Sequence, residues 1–274
     1  MGAAFVSCIV VDPEIPMSLQ PSKLVRYAIA GWMPGGRCLC VACGHHVWGF
    51  MPYRQGSRGV PPLMRVLDMV GSNPDRFECP RCGAHDRERH LLMYMQAERL
   101  FEWLRGKAVL HFAPEKRLAR FIVDSGPATY VRADLFPSDA NVQRVDMLDM
   151  QFDDGSFDCV IANHVLEHVS DVDRALGEIR RVLRADGIAI LQTPYSRKLH
   201  RTWSDPGIDT PQARLQAYGQ EDHVRLFGND IVERVVAAGL EARVREHPDL
   251  LADRDPARYG VNPAEPFLLF RNPV

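Results

Sequence analysis

The sequence predicts an α/β protein: a mostly parallel sheet covered on both faces by helices, preceded by a small cysteine-rich module. Three observations carry this expectation. From Lys107 to Pro194 short apolar runs alternate with amphipathic stretches at the spacing of strand–helix–strand units. Five of the seven cysteines (Cys8, Cys38, Cys40, Cys43, Cys79, Cys82, Cys159) fall between positions 38 and 82. The chain's 274 residues exceed one ordinary domain and fall short of three, which suits one sizeable core with an appendage.

Composition narrows the class further. With 46% hydrophobic, 8% aromatic and 25% charged residues the chain is neither disordered, collagen-like nor coiled coil. A formal charge of −2 gives no overall basic footprint, which points away from nucleic acid as a partner. No stretch approaches the roughly 18–20 apolar residues of a membrane span, and the opening MGAAFVSCIV lacks a basic leader, so the expectation is a cytoplasmic protein with no membrane partner. A reducing compartment favours thiols that bind metal or stay free over disulfides.

The elements follow in order. Residues 1–36, punctuated by Pro13, Pro16, Pro21 and Pro34, read as an arm with room for one short helix. Residues 37–83 hold the cysteine cluster and little hydrophobic periodicity, so they need a staple. Leu91, Leu92, Met95, Leu100, Phe101 and Leu104 recur at helical spacing and predict one long helix over 86–105. Strands are expected at 107–113, 129–135, 143–147, 157–165 and 187–194, with helices after Pro114 and from Asp171 to Arg184. The polar stretch 195–228 reads as a lid over the sheet's carboxyl edge. A helix near 229–239 and two final, antiparallel strands complete an 84–274 domain.

Two C-x-x-C-G turns, Cys40-Val-Ala-Cys43-Gly and Cys79-Pro-Arg-Cys82-Gly, each put two thiolates on one tight turn, and the glycine permits a left-handed backbone there. Together they make a tetrahedral set, so Cys40, Cys43, Cys79 and Cys82 are expected to hold one structural zinc ion. Cys38 could stand in for Cys40. A site closed by four thiolates leaves no coordination position for catalysis.

Along the predicted sheet, Glu115, Asp134, Asp146 and Asn163 each follow a strand, at the edge where open α/β sheets bind ligands. Carboxylates there suit ribose hydroxyls and the amine of a base, and the helix after Pro114 offers free amides. At this point the segment Val109–Pro194 resembles class I S-adenosylmethionine (SAM)-dependent methyltransferases, most closely in DMLDMQFDDGSFDCVIANHVLEHVSDVDRALGEIRRVLRADGIAILQTP. CPRCGAHDRERHLL, VLHFAPE, YVRADL and EDHVRLFG are similar to a bacterial subset with a zinc-ribbon-like front end.

The resemblance implies a Rossmann-like, seven-stranded sheet with SAM across the strand ends. Asp134 and Leu135 would lie at the ribose, Asp146 and the Met147 backbone at the adenine, Asn163 and Arg87 at the methionine portion, and Ala113 and Glu115 in the first loop. That loop departs from the family. Where the pattern reads acid, apolar, Gly, any, Gly, this chain has His111-Phe112-Ala113-Pro114-Glu115, and Glu115 is expected to replace the missing acid.

His164-Val-Leu-Glu167-His168 places an acid and an imidazole at i+3 and i+4. With His223 from the lid, His164 and His168 form a candidate set of general bases for an acceptor hydroxyl or amine. The same group, Glu167 included, could instead ligate a second metal. Arg87 and Arg89 in DRERH offer a fork for a carboxylate. The function expected is methyl transfer from SAM to a small or medium acceptor, at O or N. The alternatives are a noncatalytic recognition protein and a SAM-using enzyme with other chemistry.

Overall fold

A computed structural model describes residues 21–274. Cys8 and the first twenty residues of the expected arm lie outside the described residues. The front end contains α1 (Pro21–Trp32), β1 (Cys38–Cys40), β2 (His45–Val47), α2 (Pro62–Val66) and β3 (Met69–Val70). The α/β region follows with α3 (Asp86–Ala97), α4 (Leu100–Trp103), β4 (Ala108–Phe112), α5 (Lys116–Asp124), β5 (Thr129–Asp134), β6 (Gln143–Arg144), β7 (Phe157–Ala162), α6 (Val172–Val182) and β8 (Leu183–Ile190). It closes with β9 (Tyr195–Ser196), α7 (Pro211–Tyr218), α8 (Ile231–Ala237), β10 (Glu241–Ala242), α9 (His247–Leu251), α10 (Pro256–Tyr259) and β11 (Leu269–Arg271).

Seven strands form one sheet in the order β10-β11-β8-β7-β4-β5-β6. β4 pairs in parallel with β5 and β7, β5 with β6 and β7 with β8, whereas β11 runs antiparallel to both its neighbours. The expected Rossmann-like α/β sheet is therefore present. Its winding reverses between β4 and β7, because the chain steps outward through β5 and β6 and then returns, which leaves a crevice at the carboxyl ends of those two strands.

The period of two decides which core each side chain joins. Along β7, Val160 and Ala162 pack with Leu176 and Ile179 of α6, while Cys159 and Ile161 pack on the other face with Leu118 and Ile122 of α5 and Leu92 of α3. All five residues of β4 are buried, as a strand covered on both faces must be. The edge strands β6 and β10 have two residues each and are exposed, the usual shape of an unpaired edge.

The single long helix expected over 86–105 is broken. Arg99 takes a left-handed φ of 54° and the chain restarts as α4, a redirection that buries Leu100 and Leu104. The 195–228 segment is less polar in effect than its composition suggests. β9 pairs with β3, and Ala217, Tyr218 and Leu226 form a small core with Met64 of α2. Residues 62–70 thus belong with this segment, not with the cysteine cluster, which has its own core around Cys40, Val47, Phe50, Cys79 and Ala84. Among the described residues, no helix is long and apolar enough to cross a membrane.

Candidate functional site

The two cysteine turns share one geometry. Gly44 N–H donates to Cys40 O at 2.8 Å and Gly83 N–H to Cys79 O at 2.9 Å, with both glycines left-handed at φ 71° and 76°. This is the backbone that only glycine adopts without cost. It brings the sulfurs of Cys40, Cys43, Cys79 and Cys82 within 4.8 Å of one another, although the two pairs are far apart in sequence. Cys38 is not a member, its Sγ lying 4.0 Å from Ala257 O.

At the sheet's carboxyl edge, the first loop leaves β4 through Ala113, which holds a left-handed φ of 45°. That conformation costs an alanine on the order of 1 kcal/mol and explains why a glycine would sit easily there. Glu115 then starts α5. Its Oε2 accepts from His111 Nε2 at 3.1 Å and its Oε1 from Asn163 Nδ2 at 2.5 Å, so the ends of β4 and β7 are tied across the crevice. Burial would push the Glu115 carboxyl up, but His111 and Arg87 outweigh it and hold the group below its usual range. On its other nitrogen His111 meets the Tyr130 hydroxyl at 2.9 Å.

Asp134 and Asp146 sit at the ends of β5 and β6, joined by Val145 N–H donating to Asp134 O at 2.9 Å. Each turns Oδ1 onto a backbone amide two residues on, Phe136 and Leu148, both at 2.9 Å. Among the described residues, no partner occupies either Oδ2. Leu135 and Phe136 stay about two-fifths exposed beside Asp134, an apolar ledge next to an acid. Met147 lies buried behind Asp146.

Beyond Asn163 the chain turns through His164, left-handed at φ 56° and buried. His164 Nε2 meets Glu265 Oε1 at 3.1 Å and Nδ1 faces Glu167 Oε1 at 3.5 Å. Burial alone would depress this imidazole, yet the two carboxylates raise it to about 9. With both nitrogens facing carboxylates, His164 has no free lone pair for an acceptor's proton, so the expected base role does not fit it. Glu265 also accepts from His90 Nδ1 at 3.4 Å, and His90 Nε2 meets His247 Nδ1 at 2.8 Å, so a buried chain of imidazoles and acids runs back beneath α3.

His168 and His223 remain. The return of the 195–228 segment is fastened to the turn after β7. Val224 N–H donates to Glu167 O at 3.0 Å, and the Arg225 guanidinium donates to the carbonyls of Leu166, Val169 and Ser170. This sets the His223 ring edge-on to His168, centroids 4.8 Å apart. Glu167, His168 and His223 each offer a ligand atom within 4.8 Å of the others.

Eight buried side-chain polar atoms lack a hydrogen-bond partner among the described residues, and six of them belong to Asp86, Arg87, Asn163, Glu167, His168 and His223. Buried orphans are rare and call for a partner. Arg87 thus keeps a buried Nε without a partner. Arg89 behaves differently. Fully buried, it donates to the carbonyls of Arg76, Phe77, Ala84, Tyr259 and Gly260 and stacks on Phe50 at 3.8 Å, which makes it a structural tie. Glu265, Thr193 and Asp222 join the site without any spacing signal. Glu265 lies 101 residues from His164, and only the insertion of β11 beside β8 brings it in.

The family model of a methyltransferase domain matches residues 107–191. A 37.1 kDa protein of transposon TN4556 from Streptomyces fradiae is 32% identical over 97 residues, 35% of this chain and 26% of that protein, so the match spans about a quarter of the relative. Among solved structures, an S-adenosylmethionine-dependent methyltransferase from Mesorhizobium loti is similar at 14% identity and TM-score 0.43, covering 64% of this chain and 95% of that one. A sarcosine dimethylglycine methyltransferase-like protein from Galdieria sulphuraria has 16% identity and TM-score 0.44, covering 68% and 87%.

Proposed function

We propose that this chain, whose central α/β region is a class I SAM-dependent methyltransferase domain, transfers the methyl group of SAM to an oxygen or nitrogen of a small or medium acceptor at the carboxyl edge of the sheet. The observation that carries this reading is the run of buried polar atoms without a partner on Asn163, Glu167 and His168, which follow β7 at its carboxyl end, with His223 set beside them. The residues fit the nucleoside. The free Oδ2 of Asp134 suits ribose hydroxyls, Leu135 offers an apolar face, and Asp146 with the Met147 amide suits the adenine edge. Ala113 and Glu115 line the first loop, while Asn163 Oδ1 and Arg87 Nε suit the ammonium and carboxylate of the methionine portion.

When bound, SAM supplies an electrophilic methyl on a sulfonium. The chain's own work is alignment and proton removal. The Glu115–Asn163 bond fixes the loop and strand between which the donor lies. Glu167, His168 and His223, on the acceptor side, would promote loss of the acceptor's proton. Segment 195–228 is a fixed roof, packed on α2 and β3, that keeps water from this chemistry. Zinc on Cys40, Cys43, Cys79 and Cys82 staples the front end, a role supported by the four converging sulfurs and the matching glycine turns.

Calorimetric titration with SAM and S-adenosylhomocysteine tests the reading, followed by mass spectrometry of candidate acceptors. Binding of both, with a mass gain of one methyl group on an acceptor, is expected. Absence of binding at millimolar nucleoside would leave a noncatalytic recognition protein, and a SAM-dependent product of another mass would mean different chemistry. His223→Ala is expected to lower turnover about 10²-fold with SAM affinity nearly unchanged.

A further inference from the structure

We propose that Glu167, His168 and His223 form a binding site for a divalent first-row transition ion, distinct from the cysteine site. Glu167 and His223 each have one side anchored and the other left bare, and His168 lies beside them. Thr193 Oγ1 donates to Glu167 Oε2 at 2.9 Å, leaving Oε1 without a hydrogen bond. His223 Nδ1–H donates to Tyr218 O at 3.1 Å, which fixes the tautomer and leaves Nε2 a bare lone pair, 3.9 Å from Glu167 Oε1. His168 Nδ1 lies 3.2 Å from Asp222 Oδ2 without a hydrogen bond to it.

Ligating histidines and carboxylates are built in this way, the far atom tied to a carbonyl, hydroxyl or carboxylate so that the near atom points at the ion. Glu167 and His223 are almost fully buried, and although His164 Nδ1 also faces Glu167 Oε1, at 3.5 Å, no hydrogen bond closes there, so Oε1 and His223 Nε2 face each other unpaired, an arrangement that suits a metal ion between them. Two imidazole nitrogens and one carboxylate oxygen suit zinc, manganese or iron, and are a poor set for magnesium or calcium, which take oxygen. Three protein ligands leave a position open, unlike the closed cysteine site.

That position faces the partly exposed His168–Asp222 side, next to the turn that follows Asn163. There a cation lowers the proton affinity of the acceptor's hydroxyl or amine, and the proton leaves to water past His168 and Asp222. This role rests on the methyl-transfer reading, whereas occupancy of the site does not.

Elemental analysis of protein purified without chelator is expected to give about two ions per chain, with one lost in His168→Ala/His223→Ala and the other in Cys79→Ser. Cobalt added to protein that a mild chelator has brought down to one zinc per chain is expected to give visible bands without thiolate charge transfer, absent in Glu167→Gln, which keeps its size and its Thr193 contact. Thr193→Ala, which removes only the outer partner, is expected to weaken cobalt binding about 10-fold. Should the double histidine variant fail to fold by circular dichroism, Glu167→Gln carries the same comparison. Wild type holding one zinc per chain that takes up no cobalt or manganese, or a Glu167→Gln protein that binds them like wild type, overturns the site. Metal binding without SAM binding would instead overturn the methyl-transfer reading and leave the site standing, and metal-free protein with full transfer activity overturns only the ion's role in transfer.

Discussion

His111 and Glu115 form a buried pair, Nε2 to Oε2 at 3.1 Å, at the place where the resembling family carries an acid in the strand and a glycine in the loop. The charge has moved four residues along the chain and is held in place by an imidazole. Glu115 then also accepts from Asn163, so one carboxylate fastens both sides of the crevice.

Glu115→Ala is therefore expected to weaken SAM and S-adenosylhomocysteine binding roughly 10-fold, since it frees Asn163 and unties α5 from β7 at a cost of about 1–2 kcal/mol. Calorimetric titration measures it. Affinity equal to wild type would mean that Glu115 merely caps its helix.

Asp134→Ala is expected to abolish most of the rise in melting temperature given by S-adenosylhomocysteine, because a ligand stabilises only as far as it binds the folded state. Asp134→Asn, which retains an acceptor oxygen, should keep part of the rise. A thermal shift unchanged in both variants would move the ribose elsewhere on the edge.

Cys79→Ser and Cys82→Ser are each expected to lose the proposed zinc ion and to unfold at markedly lower temperature, because a structural ion couples its binding to the folding of the turns that hold it. Elemental analysis with a melting curve reads both. Normal stability without metal would show that packing around Cys40, Val47 and Phe50 suffices.

Arg89→Met is expected to cost about 3 kcal/mol or more, since it strands the five carbonyls that the guanidinium serves between the cysteine module and the C-terminal segment. Denaturant unfolding measures this. A loss below about 1 kcal/mol would show that water replaces the guanidinium.

Glu88 gives a dependence on pH. Its Oε1 accepts from the Arg117 and Leu118 amides at 2.8 and 2.9 Å, and burial, then the Glu115 charge, pushes the carboxyl up to about 7. Between its ordinary value near 4.5 and about 7 the folded state holds a proton that the unfolded chain has released. The resulting stability is full below that window and is lost as pH rises through it, by roughly 2–3 kcal/mol. Glu88→Gln should flatten this slope in denaturant unfolding from pH 5 to 8. An unaltered slope would assign it to another group.

By itself the sequence determined the sheet and the cysteine turns. Apolar runs at strand spacing and C-x-x-C-G turns are local patterns, and local patterns fix local backbone, as the left-handed Gly44 and Gly83 show. It also marked Asp134, Asp146 and Asn163, because a residue that directly follows a strand needs only the strand to be placed. The tertiary structure alone decided which partners the histidines meet. His164 and His168 differ by four positions in sequence, yet Glu265, carried in beside β11, takes the first, while His223, brought by a roof whose core is shared with Met64, meets the second. It likewise separated Arg87 from Arg89. Two residues apart on a helix they point about 200° apart, so one keeps an unpartnered Nε while the other is consumed by five carbonyls. Such choices depend on contacts between segments far apart in the chain, which no spacing along the sequence encodes.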